Sequence, residues 1–181
     1  MPNSHRAWLG FMRDLWSFVI SRFVKGEFMT DLWSFALSIY SRPAVAEACL
    51  YWQDQRQAKV NVLLWLIWLG HRQLAVSELD LQRAEAVIAK WNEQVTQPLR
   101  ELRRQLKQAA VDDSAVGVVR EQIKVAELAA ERYELQQLEL NTDAIALTNR
   151  LSALSDNLAL YGLRCGASKT EISALLTAAN G

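Results

Sequence analysis

Residues 77–106, SELDLQRAEAVIAKWNEQVTQPLRELRRQL, decide the fold. Within them Leu81, Ala84, Ile88, Trp91, Val95, Pro98, Leu102 and Leu106 recur every three or four positions, the period at which side chains return to one face of an α-helix. At 1.5 Å per residue the seam runs for about 40 Å. Ser77-Glu78-Leu79-Asp80 opens it in the manner of a capping box, with aspartate in place of the usual glutamate. Pro98 lacks the amide hydrogen that a helix interior needs, so a kink or a restart near Thr96 is expected. Asp112-Asp113-Ser114 closes the segment. A second helix, from Ser114 or Val118 to Leu140, then sets Val119, Ile123, Ala126, Ala130 and Tyr133 in a stripe widened by Leu128, Leu135 and Leu138. Two long helices across a short acidic turn read as an antiparallel αα-hairpin over residues 77–140.

The elements on either side also read as helices. Thr30 or Asp31 caps one that runs to about Ser41 and carries Leu32, Phe35 or Ala36, Ile39 and Tyr40. Pro43 suits the first turn of the next, which holds Val45, Ala48, Cys49 and Trp52 and ends near Gln57. Lys59 to Leu69 is apolar nearly all round, and Asn61 is the one polar residue between Val60 and Gly70. Composition alone also fits a strand, but length and leucine content favour a helix central to the core. The run is too short to span a bilayer, which takes about 20 apolar residues. Downstream, Leu147, Leu151, Leu154, Leu158 and Tyr161 mark a helix over residues 144–161, and Gly162 to Gly166 reads as a turn. Ser168-Lys169-Thr170-Glu171 is a capping box for a last helix through Ala178. The expected fold is all-α: a bundle of six or seven helices with one long antiparallel hairpin, forming a single domain over residues 29–181.

The front of the chain repeats itself. Asp14-Leu15-Trp16-Ser17-Phe18 returns as Asp31-Leu32-Trp33-Ser34-Phe35. Residues 6–24 have the spacing of an amphipathic helix, with Leu9, Met12, Trp16 and Phe23 on one side. Met29 stands just before the second copy. Residues 1–28 are therefore expected to be an N-terminal extension or an optional amphipathic helix, and residues 6–24 are the one stretch that suits a membrane surface.

From Trp33 to Gly70 the chain carries Leu32-Trp33-Ser34-Phe35-Ala36-Leu37, Arg42-Pro43, Val45-Ala46-Glu47-Ala48-Cys49-Leu50, Gln53-Asp54, Val60-Asn61-Val62-Leu63-Leu64 and Leu66-Ile67-Trp68-Leu69-Gly70. A second block is Trp91-Asn92-Glu93-Gln94-Val95, Pro98-Leu99-Arg100 and Arg103-Arg104. Over about residues 31–160 this resembles a small family of helical proteobacterial proteins of unknown function. Tyr51 and Trp52 are bulkier than that pattern, and residues 55–59 lack its glycine. The resemblance brings no activity with it.

Composition narrows the function classes. Lys plus Arg and Asp plus Glu number 20 each, so no global field favours a polyanion and nucleic acid is disfavoured as a partner. Cys49 and Cys165 read as small hydrophobes in a reducing compartment, the cytoplasm. His5 and His71 are the only histidines, and Glu47 with Asp54 has no second acidic pair to answer it. No metal, cofactor or catalytic residue is expected. Nucleophile-elbow, Walker and dinucleotide-binding motifs do not occur.

Two function classes remain. The first is a non-enzymatic protein–protein interaction or regulatory adaptor module, engaging a protein partner or a second copy of itself. The alternative is a small-molecule binder or enzyme. Its pocket would be lined by Trp33, Tyr40, Trp65, Trp68 and Trp91 near Gln53, Asp54 and Asn61. Arg100, Arg103, Arg104 and Lys107 form a basic band that can meet phosphates or pair with Glu121, Glu127, Glu131 and Glu134 on the returning helix. Pairing accounts for the matched charges and is the favoured reading.

Overall fold

The computed structural model describes residues 31–142 and 147–181; the expected extension over residues 1–28, with its stretch 6–24, lies outside them. The described chain is an all-α bundle with a two-residue β ladder. It divides into two compact units, one built from residues 31–78 with 147–181, the other from residues 79–142. Among the described residues, no helix is long and apolar enough to cross a membrane.

In the first unit, α1 (Leu32–Tyr40) starts where Asp31 accepts a hydrogen bond from the Ser34 N–H at 2.8 Å, satisfying a donor that the first turn leaves open. Pro43 occupies the first turn of α2 (Pro43–Arg56), where its missing N–H costs nothing. Gln57 ends that helix in a left-handed conformation, φ 54°, a position that glycine adopts more easily. The run that composition left between strand and helix is α3 (Val60–His71), and residues 61–70 of it are all buried. Its Trp65, Leu66 and Ile67 are wholly enclosed.

Against α3 lies α8 (Ala153–Arg164). The contact is tight at Gly70, where a Cβ would come within 2.6 Å of the Leu154 Cα. Gly162 plays the same part among α8, α2 and the last helix: a Cβ there would meet Ile172 at 2.6 Å and Trp52 at 2.9 Å. The expected turn from Gly162 therefore begins later. α8 continues to Arg164, and Gly166 makes the left-handed step, φ 67°.

The helix expected over residues 144–161 is shorter than its leucine spacing implies. Leu74–Ala75 (β1) pairs antiparallel with Thr148–Asn149 (β2), and the Arg150 N–H adds a bond to the Gln73 carbonyl at 2.8 Å. Backbone groups spent on this ladder are not available to a helix, so α8 begins only at Ala153 and Leu151 is left 89% exposed. Asn157, fully buried, accounts for the surrounding backbone. It accepts from the Val76 N–H and donates to the Leu66 and Leu74 carbonyls.

The last helix, α9 (Lys169–Asn180), starts at the expected capping box. Glu171 also takes a two-nitrogen grip from Arg56, at 2.9–3.2 Å, which ties α9 to α2. At its other end the Ala179 carbonyl lies 3.3 Å from the Arg42 guanidinium and 3.1 Å from the His71 Nε2. His71 thus caps a neighbouring helix rather than its own. Cys49 and Cys165 are not joined in a disulfide, and burial pushes the Cys49 thiol up to about 12.

In the second unit, α4 (Glu78–Trp91) runs into a π-helical turn (Asn92–Thr96) and then α5 (Gln97–Gln105), a break at residues 106–108, and the short α6 (Ala109–Asp112). Asp113 accepts from the Ala115 N–H at 2.8 Å and starts α7 (Ser114–Thr142), which returns antiparallel along the others. The expected hairpin is present.

Two outcomes follow from these contacts. Gly70→Ala is expected to lower stability by about 1–3 kcal/mol, since backbone must shift to admit the methyl group. Gly117→Ala, whose nearest neighbour is at an ordinary 3.6 Å, is expected to raise it by about 0.5–1 kcal/mol; urea unfolding of both variants checks the pair. Separately, the Ser168 N–H and hydroxyl, then Tyr51 and Arg56, hold the Glu171 carboxyl at about 2 against an ordinary 4.5. A depressed acid contributes stability that is full above its unfolded value and lost as pH falls through the folded one. The stability deficit of Glu171→Gln should therefore be largest near neutral pH and close as the pH approaches 2, read by thermal unfolding across that range.

Candidate functional site

The interior of the hairpin is set by its π turn. With 3.6 residues per turn, Trp91, Val95, Pro98 and Leu102 stay on the inner seam. Instead the Gln97 N–H bonds to the Asn92 carbonyl, one residue further back than in an α-helix. The extra residue rotates everything after it by about 100°. The cause is at hand: Pro98 cannot donate, and its ring crowds the carbonyl four residues earlier. From the π turn onward the buried positions are Asn92 and Thr96 within it and Arg103 after it, with Arg100 close behind, while Pro98 is exposed and Leu102 is 43% exposed.

The returning helix answers with carboxylates. Its buried residues are Glu127, Ala130, Glu134, Leu135, Leu138 and Thr142. This corrects part of the expected stripe: Val119 and Ala126 face outward and Tyr133 is 40% exposed with its ring against Trp91, while Ala130, Leu135 and Leu138 are buried as expected. Glu134 accepts from Asn92 Nδ2 at 3.0 Å and from the Thr96 hydroxyl. Glu127 takes Arg103 with both oxygens, and its Oε1 also accepts from Arg100 Nε at 3.1 Å. Arg100 Nη2 reaches Glu131 at 2.6 Å. Burial raises the Glu131 carboxyl above its ordinary range, and Arg100 pulls it back. Burial would lower the Arg100 guanidinium, but Glu131 and Glu127 raise it above its usual value. Trp91 donates from Nε1 to the Ala130 carbonyl at 3.2 Å and stacks on Tyr133 at 4.3 Å.

These contacts place the basic band. Arg100 and Arg103 turn inward to glutamates, while Arg104 and Lys107 are exposed. Asn92 and Thr96 were not expected to be interior. The signal that points to them is glutamate at 127 and 134 on a face that also carries Ala130, Leu135 and Leu138, opposite two polar residues shortly before a proline.

The aromatic candidates are divided between the units. Trp33 is half-buried on α1, Tyr40 is buried at its end, and Trp65 and Trp68 are enclosed in α3, with Arg72 stacked 4.4 Å from the Trp68 ring. Gln53 is half-buried and Asp54 exposed on α2; Asn61 is buried in the first turn of α3. Trp91 belongs to the hairpin unit, where its ring lies on Tyr133. Glu47, like Asp54, is exposed. Among the described residues, no group of three or more His, Cys, Asp or Glu is placed to hold a metal ion.

The outer face of α7 is the remaining feature. Val118, Gln122, Val125, Ala129, Tyr133, Gln136 and Leu140 are all exposed, with Val118 at 64%, Val125 at 54% and Leu140 at 70%. At 100° per residue they fall within an arc of about 80°, on the side opposite Glu127 and Glu134. The helix thus encloses two carboxylates beside Ala130, Leu135 and Leu138 while it leaves Val118, Val125 and Leu140 in water, against the usual preference.

Fold and contacts define an all-α protein with a charge-locked helical hairpin. The chain belongs to the family described as protein of unknown function (DUF2390), whose model matches residues 31–138. No curated protein and no solved structure matches it.

Removing Arg103 takes away the two-nitrogen grip on the enclosed Glu127 and leaves that carboxylate to Arg100 Nε. Arg103→Met is therefore expected to destabilise by about 3–5 kcal/mol, whereas Arg103→Met with Glu127→Leu regains much of that loss. A double-mutant cycle by chemical denaturation measures the coupling.

Proposed function

We propose that this chain is a non-enzymatic interaction or regulatory adaptor module of the cytoplasm, and that the outer face of α7 is its recognition element. One observation carries the reading: α7 exposes Val118, Val125 and Leu140 along one line while Glu127 and Glu134 are enclosed behind them. Exposed apolar side chains aligned on a rigid helix suit the seat of another helix with matching apolar residues, the helix-in-groove mode of recognition. The arginines that suit a phosphate partner are directed at Glu127 and Glu131 instead. The cytoplasm, where thiols stay reduced, suits a chain whose two cysteines form no disulfide.

The reading is checked by comparing captures from native cells. The full chain and a Val118→Glu/Val125→Glu/Leu140→Glu variant are tagged identically, and a differently tagged wild-type copy is co-expressed in each case. The variant is expected to keep the wild-type circular dichroism spectrum and melting temperature, because the three sites are exposed, and to lose the polypeptides that the wild type retains. Identical captures from two folded proteins would overturn the assignment of the face.

A further inference from the structure

The outer face of α7 has the same chemistry read in either direction. Starting from Ala129, the first apolar residue lies four positions on at either side, Val125 and Tyr133. Next comes glutamine at seven positions, Gln122 and Gln136, and then a second apolar residue at eleven positions, Val118 and Leu140. All are exposed. A sequence symmetric about its centre is complementary to itself when one copy is turned end for end, as an isologous two-fold interface requires.

We propose that the occupant of this face is a second copy of the chain, its α7 packed antiparallel on the first about a two-fold axis through Ala129. This rests on the reading of the face as a recognition element and names its partner. The pairing sets Val118 against Leu140 and Val125 against Tyr133, so apolar side chains meet apolar ones at every such level. Gln122 meets Gln136, and two primary amides can exchange both a donor and an acceptor. Ala129 meets itself at the crossing point, where the smallest side chain of the set lets the backbones approach. The opposite, parallel arrangement sets each residue against its own copy, and Ala129 then gains no special position.

The contact is about 33 Å long and falls short of the roughly 800 Å² per partner of a standard interface. The dimer is therefore expected to dissociate in the micromolar range.

Sedimentation velocity on the full chain over a concentration series reads the association. Dimer is expected to grow with concentration, and Val125→Glu to weaken it at least about 30-fold, since a charge is then buried against Tyr133. Cysteine cross-linking under mild oxidation, in a Cys165→Ser background, reads the geometry. Ala129→Cys alone is expected to link into dimers. Val118→Cys and Leu140→Cys are each expected to stay unlinked alone and to link when mixed. Cross-linking of Val118→Cys to itself overturns the antiparallel pairing, and a dimer indifferent to Val125→Glu overturns the use of this face. A chain that stays monomeric overturns the dimer. If its capture nevertheless still depends on the face, the interaction reading survives; if the capture is also unchanged by the variants, both fail. A monomer whose melting temperature falls with Val125→Glu assigns the face to a segment of the same chain and also overturns the proposal.

Discussion

One widened helical turn, Asn92–Thr96, decides which side chains the hairpin encloses. Before it, Leu81, Ala84 and Ile88 are buried in ordinary helical rhythm; after it, Thr96 and Arg103 take the interior. The arginine contacts between the hairpin's arms follow from that rotation, Arg100 on Glu127 and Glu131 and Arg103 on Glu127, while Asn92 and Thr96 meet Glu134 at the turn itself. Sliding one arm along the other by a turn spoils part of this set in either direction: moved one way, Arg103 meets Lys124 in place of Glu127, and moved the other, Asn92 and Thr96 meet Leu138 in place of Glu134. An apolar interface tolerates such a slip more easily, because one leucine substitutes for another. A buried charge without its partner is far costlier. The ion pairs therefore specify register, a role better attested for buried polar groups than added stability.

The sequence made some of this legible. Helical spacing located α4, α5 and α7, Asp31 and Ser168 marked two helix starts, and the matched charges of residues 100–107 and 121–134 anticipated pairing between the arms. Spacing could not show the inner face beyond Pro98. Pro98 and Leu102 continue the apolar count as if the helix were uniform, and a single inserted residue in the hydrogen-bond pattern moves them off the seam without altering the count. The stripe on α7 misled for a related reason. Val119, Ala126 and Tyr133 are apolar and correctly spaced, yet the face chosen for burial was the one whose carboxylates had guanidinium partners waiting. Apolar periodicity finds a helix, but which side is buried depends on the opposing element.

The first unit shows the same dependence at a smaller scale. Leu147 and Leu151 extend the period of α8 backwards, but the β1–β2 ladder claims the backbone there. In the sequence Asn157 is one asparagine in a largely apolar helix. Its place is fixed by three backbone groups, at Leu66, Leu74 and Val76, that lie more than eighty residues away in sequence, and a one-dimensional pattern carries no trace of them. Gly70 is different. It reads as a helix stop, and the structure keeps it inside α3 because Leu154 leaves no room for a side chain. Two physical demands, left-handed backbone and close approach, select the same residue, and sequence alone does not separate them.

The candidate site was less legible than the fold, and the reason lies in what each side chain is asked to do. Tryptophans near an amide and a carboxylate suggest a pocket, but in this unit Trp65 and Trp68 are enclosed by the core while Asp54 faces solvent. Their chemistry is absorbed by packing. On α7 the balance runs the other way. A helix selected for stability alone gains by placing valine and leucine inside and glutamate outside, since a well-packed apolar contact equals or exceeds a buried ion pair. This helix does so at Ala130, Leu135 and Leu138, yet it also encloses Glu127 and Glu134 and leaves Val118, Val125 and Leu140 to water. Exposed apolar area of that kind confers nothing on an isolated chain. It becomes favourable once covered, which is the physical ground for treating the outer face, rather than the tryptophan cluster, as the place where this protein meets something else.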